Sequence, residues 1–126
     1  MANPNIVNVS DIRGKTNVAN LSSTNTTNIL SNPSGSNKVF KINTIIISNA
    51  NTVAGLATGI TVELYSQANA TGTNTEIAST VTVPANASIV ILDKNSSIYL
   101  EEDKSIGLRA LVANRLKGII SYEEIS

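Results

Sequence analysis

Three successive carboxylates, Glu101, Glu102 and Asp103, form the densest set of groups in this chain that could do chemistry. Such a cluster could hold a hard cation, but calcium needs six to eight oxygens from a loop with spaced ligands. No Asp-x-Asp-x-Asp-Gly spacing is present, and Lys104 follows directly. A glycosidase pair would need two carboxylates facing one another across a cleft. Neighbouring residues on a strand point to opposite faces, so Glu101 and Glu102 cannot form that pair. The cluster reads as a solvated turn. Gly14-Lys15-Thr16 has the tail of a phosphate loop, but Val9 stands where the pattern requires its first glycine. Arg13, Lys15, Lys38 and Lys41 are the nearest approach to a basic patch, with no interleaved aromatic rings to stack on bases.

What is missing narrows the chemistry further. There is no Cys and no His. Thiolate nucleophiles, iron–sulfur clusters and disulfide frameworks are therefore excluded, as are Ser–His triads and most zinc sites. The expectation is a protein that is not an enzyme, with no catalytic residues, no cofactor and no metal. Nine basic and nine acidic residues give a net charge of zero. That balance supplies no electrostatic reason to bind nucleic acid or an anionic membrane. Only Tyr65, Tyr99 and Tyr122 could stack on a sugar, which leaves a carbohydrate-binding surface module as an alternative of another class.

The elements that carry these residues are strands. Ile, Val and Thr suit pleated sheet, while Asn and Ser suit turns and resist helix interiors. The strongest strand is Lys38 to Ser48, with Phe40, Ile42 and Ile46 on one face and Val39, Ile45 and Ile47 on the other. A loop with a helical turn around Val53 to Ala57 comes next. Gly59 to Ser66 alternates, with Ile60, Val62 and Leu64 inward and Thr61, Glu63 and Tyr65 outward. Thr75 to Val83 is stopped by Pro84, and Ser88 to Leu92 and Ser97 to Leu100 are short. Ser105 to Val112 and Leu116 to Glu124 close the chain and are expected to pair as a hairpin.

The pattern amounts to about eight strands with turns at roughly 8–12-residue intervals, which predicts an all-β, antiparallel β-sandwich, either jelly-roll or Ig-like. Residues 38–126 form the predicted sandwich domain. Residues 1–37, rich in Asn, Ser and Thr, are either a polar N-terminal arm or edge strands. As an arm, Ile6, Val7, Val9 and Ile12 would contact a partner by adding a strand to its sheet edge. The N-terminus lacks the design of a signal peptide, and the apolar runs are far too short to span a membrane.

Charged residues make up 14 % of the chain, against about 25 % in an ordinary soluble domain. A lightly charged β protein risks edge-to-edge association unless neighbouring subunits cover its edges. Uncharged polar faces also dock at lower desolvation cost than charged ones.

Several segments carry a family resemblance. They are Met1-Ala2-Asn3-Pro4-Asn5-Ile6-Val7, Ser31-Asn32-Pro33-Ser34-Gly35-Ser36-Asn37-Lys38-Val39-Phe40-Lys41-Ile42-Asn43, Ser97-Ile98-Tyr99-Leu100-Glu101-Glu102-Asp103 and Ser121-Tyr122-Glu123-Glu124-Ile125. In order, these resemble small virion structural proteins of tailed phages, especially contractile-tailed phages of cyanobacteria. The resemblance implies a protein made in the host cytoplasm and localised to the virion. By analogy its role is a capsid decoration or cement protein that docks multivalently on the major capsid protein as a homo-oligomer, a trimer being favoured. A tail, neck or fibre-base location is the structural alternative. The resemblance carries over no catalytic residue.

Overall fold

The computed structural model describes residue 4, residues 6–50 and residues 57–126. The helical turn expected around Val53 to Ala57 lies, except for Ala57, outside these described residues. A 3-10 turn at Ile6–Asn8 leads into nine strands: β1 (Ile12–Asn20), β2 (Thr27–Asn32), β3 (Val39–Asn49), β4 (Thr58–Gln67), β5 (Thr71–Val83), β6 (Ala87–Leu92), β7 (Ile98–Leu100), β8 (Lys104–Ala110) and β9 (Leu116–Ile125). All pairings are antiparallel. One sheet has the order β1-β9-β3-β6, with the short β7 also on β3, and the other has the order β2-β8-β4-β5. Each sheet thus draws strands from both halves of the chain, the winding of a jelly roll. β1 and β2, both from the Asn/Ser/Thr-rich stretch, supply one edge strand to each sheet.

The two sheets bury a core of Ile, Leu and Val between them, including Ile42, Ile45, Ile47, Ile60, Val62, Ile106, Leu108 and Ile120. Phe40 and Tyr122 meet at its end, with ring centroids 5.2 Å apart. β3 reaches the core in an unexpected way. Strict alternation would place Ile45 and Ile47 opposite Phe40 and Ile42, but the β3–β9 register shifts between Ile42 and Thr44. The extra residue, Asn43, reverses the phase of the rest of the strand. Phe40, Ile42, Ile45 and Ile47 therefore all join the core cluster, and Ile46 turns outward.

Three further expectations are corrected. β8 and β9 do not form a hairpin: β8 pairs with β2 and β4, while β9 pairs with β1 and β3. Their apolar faces approach one core from opposite sides, and residues 111–115 cross between the sheets. Leu111 N donates to Gly59 O and Asn114 N to Leu21 O along that crossing. Secondly, Thr61, Glu63 and Tyr65 are buried rather than turned to water, because the outer face of β4 is covered locally. Thirdly, Glu102 is buried, and its Oε2 accepts from Gly35 N at 2.8 Å, so it fastens the Pro33–Ser36 turn instead of standing in solvent.

Asn32 knots the same corner. Its Nδ2 donates to Lys38 O and Leu100 O, its Oδ1 accepts from Ser36 Oγ, and its carbonyl accepts from Asp103 N. One fully buried amide so joins the end of β2 to the starts of β3 and β8 and the end of β7.

Candidate functional site

Two places carry side chains that the core does not use. The first is a polar cluster on the outer face of the β2-β8-β4-β5 sheet. Glu63 is 2 % exposed, and Tyr65 Oη donates to its Oε1 at 3.2 Å. Asn74 Nδ2, from β5, donates to Oε2, and Arg109 Nε stands 3.9 Å from Oε1. Tyr65 lies over Gly107, where any Cβ would collide with its ring, and its hydroxyl is 3.4 Å from Thr26 Oγ1. Buried carboxylates persist when their lone pairs are met; here donors from two strands meet both oxygens, with the Arg109 charge from a third close by. Thr61, Thr80, Arg109 and Leu111 border a hollow of about 180 Å³ beside the cluster. That is smaller than the roughly 300–1,000 Å³ of small-molecule sites. Glu63 is held by its own neighbours, so the cluster fastens Tyr65 and β5 to the sheet.

The second place is the outer face of the other sheet. Its register aligns Val18 with Ile119, Ile119 with Ile46, and Ile46 with Val90. Four strands contribute one residue each to an apolar row across the whole face. Val18 is 66 % exposed and Val90 59 %, with Ile119 and Ile46 half-buried between them. Polar rows flank it, Thr16–Ser121–Thr44 on one side and Asn20–Lys117–Ser48–Ser88, with one charge at Lys117, on the other. An exposed apolar stripe with a polar rim is the makeup of a protein-docking surface.

The residues singled out by sequence fall in several different places. Ile6 and Val7 belong to the 3-10 turn, so the alternation from Ile6 to Ile12 is not one extended strand. Val7 is 96 % exposed, Val9 is half-buried, and Ile12 opens β1, exposed and aligned with Ile125. The proposed basic patch is matched by carboxylates: Arg13 with Asp11 at 2.8 Å, Lys15 and Lys38 both with Glu124 at 2.9 Å, and Lys41 with Glu123 at 3.9 Å. The bonds from Lys38 and Lys15, Lys38 first, hold the Glu124 carboxyl below its ordinary range. The Glu124 bond raises Lys15 in turn, and burial raises the Tyr122 phenol. Of the three tyrosines, Tyr65 and Tyr122 are buried and Tyr99 is exposed.

Sequence reasoning missed both places. Glu63 had one local signal, a phenol two residues on that could share its face, but its cover comes from Thr26, Asn74 and Gly107, distant in sequence. The apolar row has no local signal, since its members come from four separate strands. Among the described residues no helix is long and apolar enough to cross a membrane, and no group of three or more acidic residues converges on a metal-sized space. Fold and surface together define a jelly-roll β-sandwich with an apolar row on the outer face of one sheet. Comparison with protein-family models, curated proteins and solved structures finds no match for this chain.

Proposed function

We propose that this protein is a structural subunit of a tailed-phage virion, a decoration protein that seats the outer face of its β1-β9-β3-β6 sheet on the major capsid protein. The observation that carries this reading is the row Val18–Ile119–Ile46–Val90, an apolar stripe left outside a sandwich whose core is already complete. The resemblance to small virion proteins supplies the context. The low charge of the chain, with Arg13, Lys15 and Lys38 matched to carboxylates on its own surface, supports docking by shape and apolar contact. Each contact is modest. Several copies acting together on a repeating lattice gain by effective concentration. Binding the assembled shell and not its free subunits stabilises the shell by mass action.

Quantitative mass spectrometry of purified particles, with binding of purified protein to bare shells, tests the reading. A copy number comparable to that of the major capsid protein, with shells made more resistant to heat, is the expected result. A small fixed copy number would move the protein to the neck or tail. Absence from the particle would end the proposal. The arm idea needs a cut that spares β1. Ser10 and Asp11 already bond to Ser126, so removal of residues 1–9 is the informative deletion.

A further inference from the structure

We propose that β1 is the interface to a second copy of this chain, the two β1 strands pairing antiparallel about a two-fold axis at Thr16. The inference is independent of where the protein works. It begins from which backbone groups β1 leaves unpaired. Asp11 and Ser126 exchange both N–H···O bonds, and Leu21 N donates to Leu116 O. The β1–β9 register runs without a break between those points. In an antiparallel ladder such bonded pairs recur at every second residue. The odd residues from Asp11 to Leu21 thus face β9. Ile12, Gly14, Thr16, Val18 and Asn20 turn their N–H and C=O groups to the free edge, where no described strand pairs with them.

Proteins usually blunt such an edge by shortening it, bulging it or pointing a charge across it. The other sheet edges obey that rule. The pairings of β2, β5 and β6 each carry register shifts, and β7 has three residues. β1 has nine residues, no proline and no bulge. Its lysine, Lys15, is turned back onto Glu124 at 2.9 Å. A Cβ on Gly14 would meet nothing within 4 Å.

The occupant that suits this edge is the edge itself. With the axis at Thr16, Gly14 faces the partner's Val18, Ile12 faces the partner's Asn20, and Thr16 faces the partner's Thr16. Every free edge group from Ile12 to Asn20 gains a partner. On the other face, Arg13 lies opposite the partner's Ala19 and Lys15 opposite the partner's Asn17, so no like charges stand directly across. Moving the axis to Gly14 would set Arg13 against the partner's Lys15, a destabilising pair. Moving it to Val18 would leave Ile12 and Gly14 beyond the partner's strand. Charge and length therefore select one register. Such an isologous pair joins two sheets into one and keeps both Val18–Ile119–Ile46–Val90 rows on the same side. Two-fold pairing takes the place of the threefold assembly that the virion resemblance favours.

Sedimentation of the full-length protein over a concentration series, with three variants, tests the pairing. The wild type should approach twice the mass of one chain as concentration rises. Thr16→Pro removes an edge N–H that β9 does not use, a position where a strand tolerates proline. It should abolish the dimer with the circular dichroism unchanged. The chain has no cysteine, so single cysteines report register. Paired Cα atoms about 5.5 Å apart suit a disulfide, so Thr16→Cys should cross-link on oxidation and Val18→Cys should not. A wild type that stays monomeric to its solubility limit, a Thr16→Pro dimer, or equal cross-linking by both cysteines would overturn the proposal. Should Thr16→Pro fail to fold, the cysteine pair decides alone.

Discussion

Gly118 of β9 lies directly beneath Leu108 of β8, and a methyl group on Gly118 would overlap Leu108 Cδ1. Here the two sheets approach closely, with Ile29 and Ile47 on either side. Leu108 is fully buried and has little room to swing away. Gly118→Ala should therefore cost about 1–3 kcal/mol, the range for overpacking a finished core. Chemical denaturation would show the loss as a lower midpoint. Backbone entropy alone would favour alanine over glycine, but in this strand the close approach decides.

Asn32 should be among the most sensitive polar positions. Asn32→Ala would leave Lys38 O and Leu100 O without the donor they now share and free Ser36 Oγ from its acceptor. Stranded buried polar groups cost about 1–3 kcal/mol each when water cannot replace the partner. With partial relaxation the expected loss is about 2–4 kcal/mol. Asn32→Asp should fare no better, since a carboxylate cannot donate to the two carbonyls. Equilibrium unfolding of both variants checks the ranking.

Whether a feature could be read from the chain depends on where its signal lies. Alternation within one strand was legible: Ile106, Leu108 and Ala110, and Leu116, Gly118, Ile120 and Tyr122, occupy the faces their spacing predicts. The stop of β5 at Pro84 was legible too. Anything requiring a second strand was not. The bulge at Asn43 reverses the phase of β3, and nothing local to Asn43 marks it. The separation of β8 from β9 is a property of the winding, which the short connection through residues 111–115 does not reveal. Glu63 looked exposed because its cover belongs to β5, β8 and residue 26. The apolar row became visible only once the registers of four strands were known.

Acid should weaken the corner at Glu124. Lys38 and Lys15 hold its carboxyl below the ordinary value. A lowered carboxylate pKa means that the unfolded chain takes up the proton first. The stabilisation is thus complete above the unfolded carboxylate value of about 4.3 and is lost as pH falls through the lower folded value. Glu124→Gln should be less stable than the wild type at neutral pH, and the gap should close in acid. Lys15 and Tyr122 act at the other end of the scale. Both are raised, so their contributions persist below their ordinary values and fade as pH rises through the folded ones. Thermal melts of both proteins across pH would display the convergence in acid, a Tyr122-linked decline in strong alkali shared by both, and a Lys15-linked part of that decline only in the wild type.

Thr80 has a φ of +49°, a left-handed conformation that a β-branched residue rarely adopts. It sits where the β4–β5 register shifts, with its N–H donating to Thr61 Oγ1 at 3.1 Å. That bond belongs to the backbone and survives substitution. Thr80→Gly relieves the steric conflict, worth about 1–2 kcal/mol, but enlarges the freedom of the unfolded chain by about 0.4–1 kcal/mol. The net expectation is a gain of about 0–1.6 kcal/mol, read as a raised melting temperature.

The row Val18–Ile119–Ile46–Val90 is where stability and the proposed docking can be separated. Val18 and Val90 stand at opposite ends of it, both largely exposed and outside the core cluster. Lysine at either position can extend into water, so the folded state should change by no more than about 0.5 kcal/mol, as for other surface substitutions. Against a partner the same ammonium would have to be desolvated within an apolar contact, which costs far more. Val90→Lys should therefore keep the wild-type melting temperature and lose binding to bare shells, as should Val18→Lys. Glu76→Gln, on the exposed β5 of the other sheet, makes the same single-unit change toward positive charge away from the row and should bind normally. Shell binding that survived both valine substitutions would place the docking surface elsewhere on the sandwich.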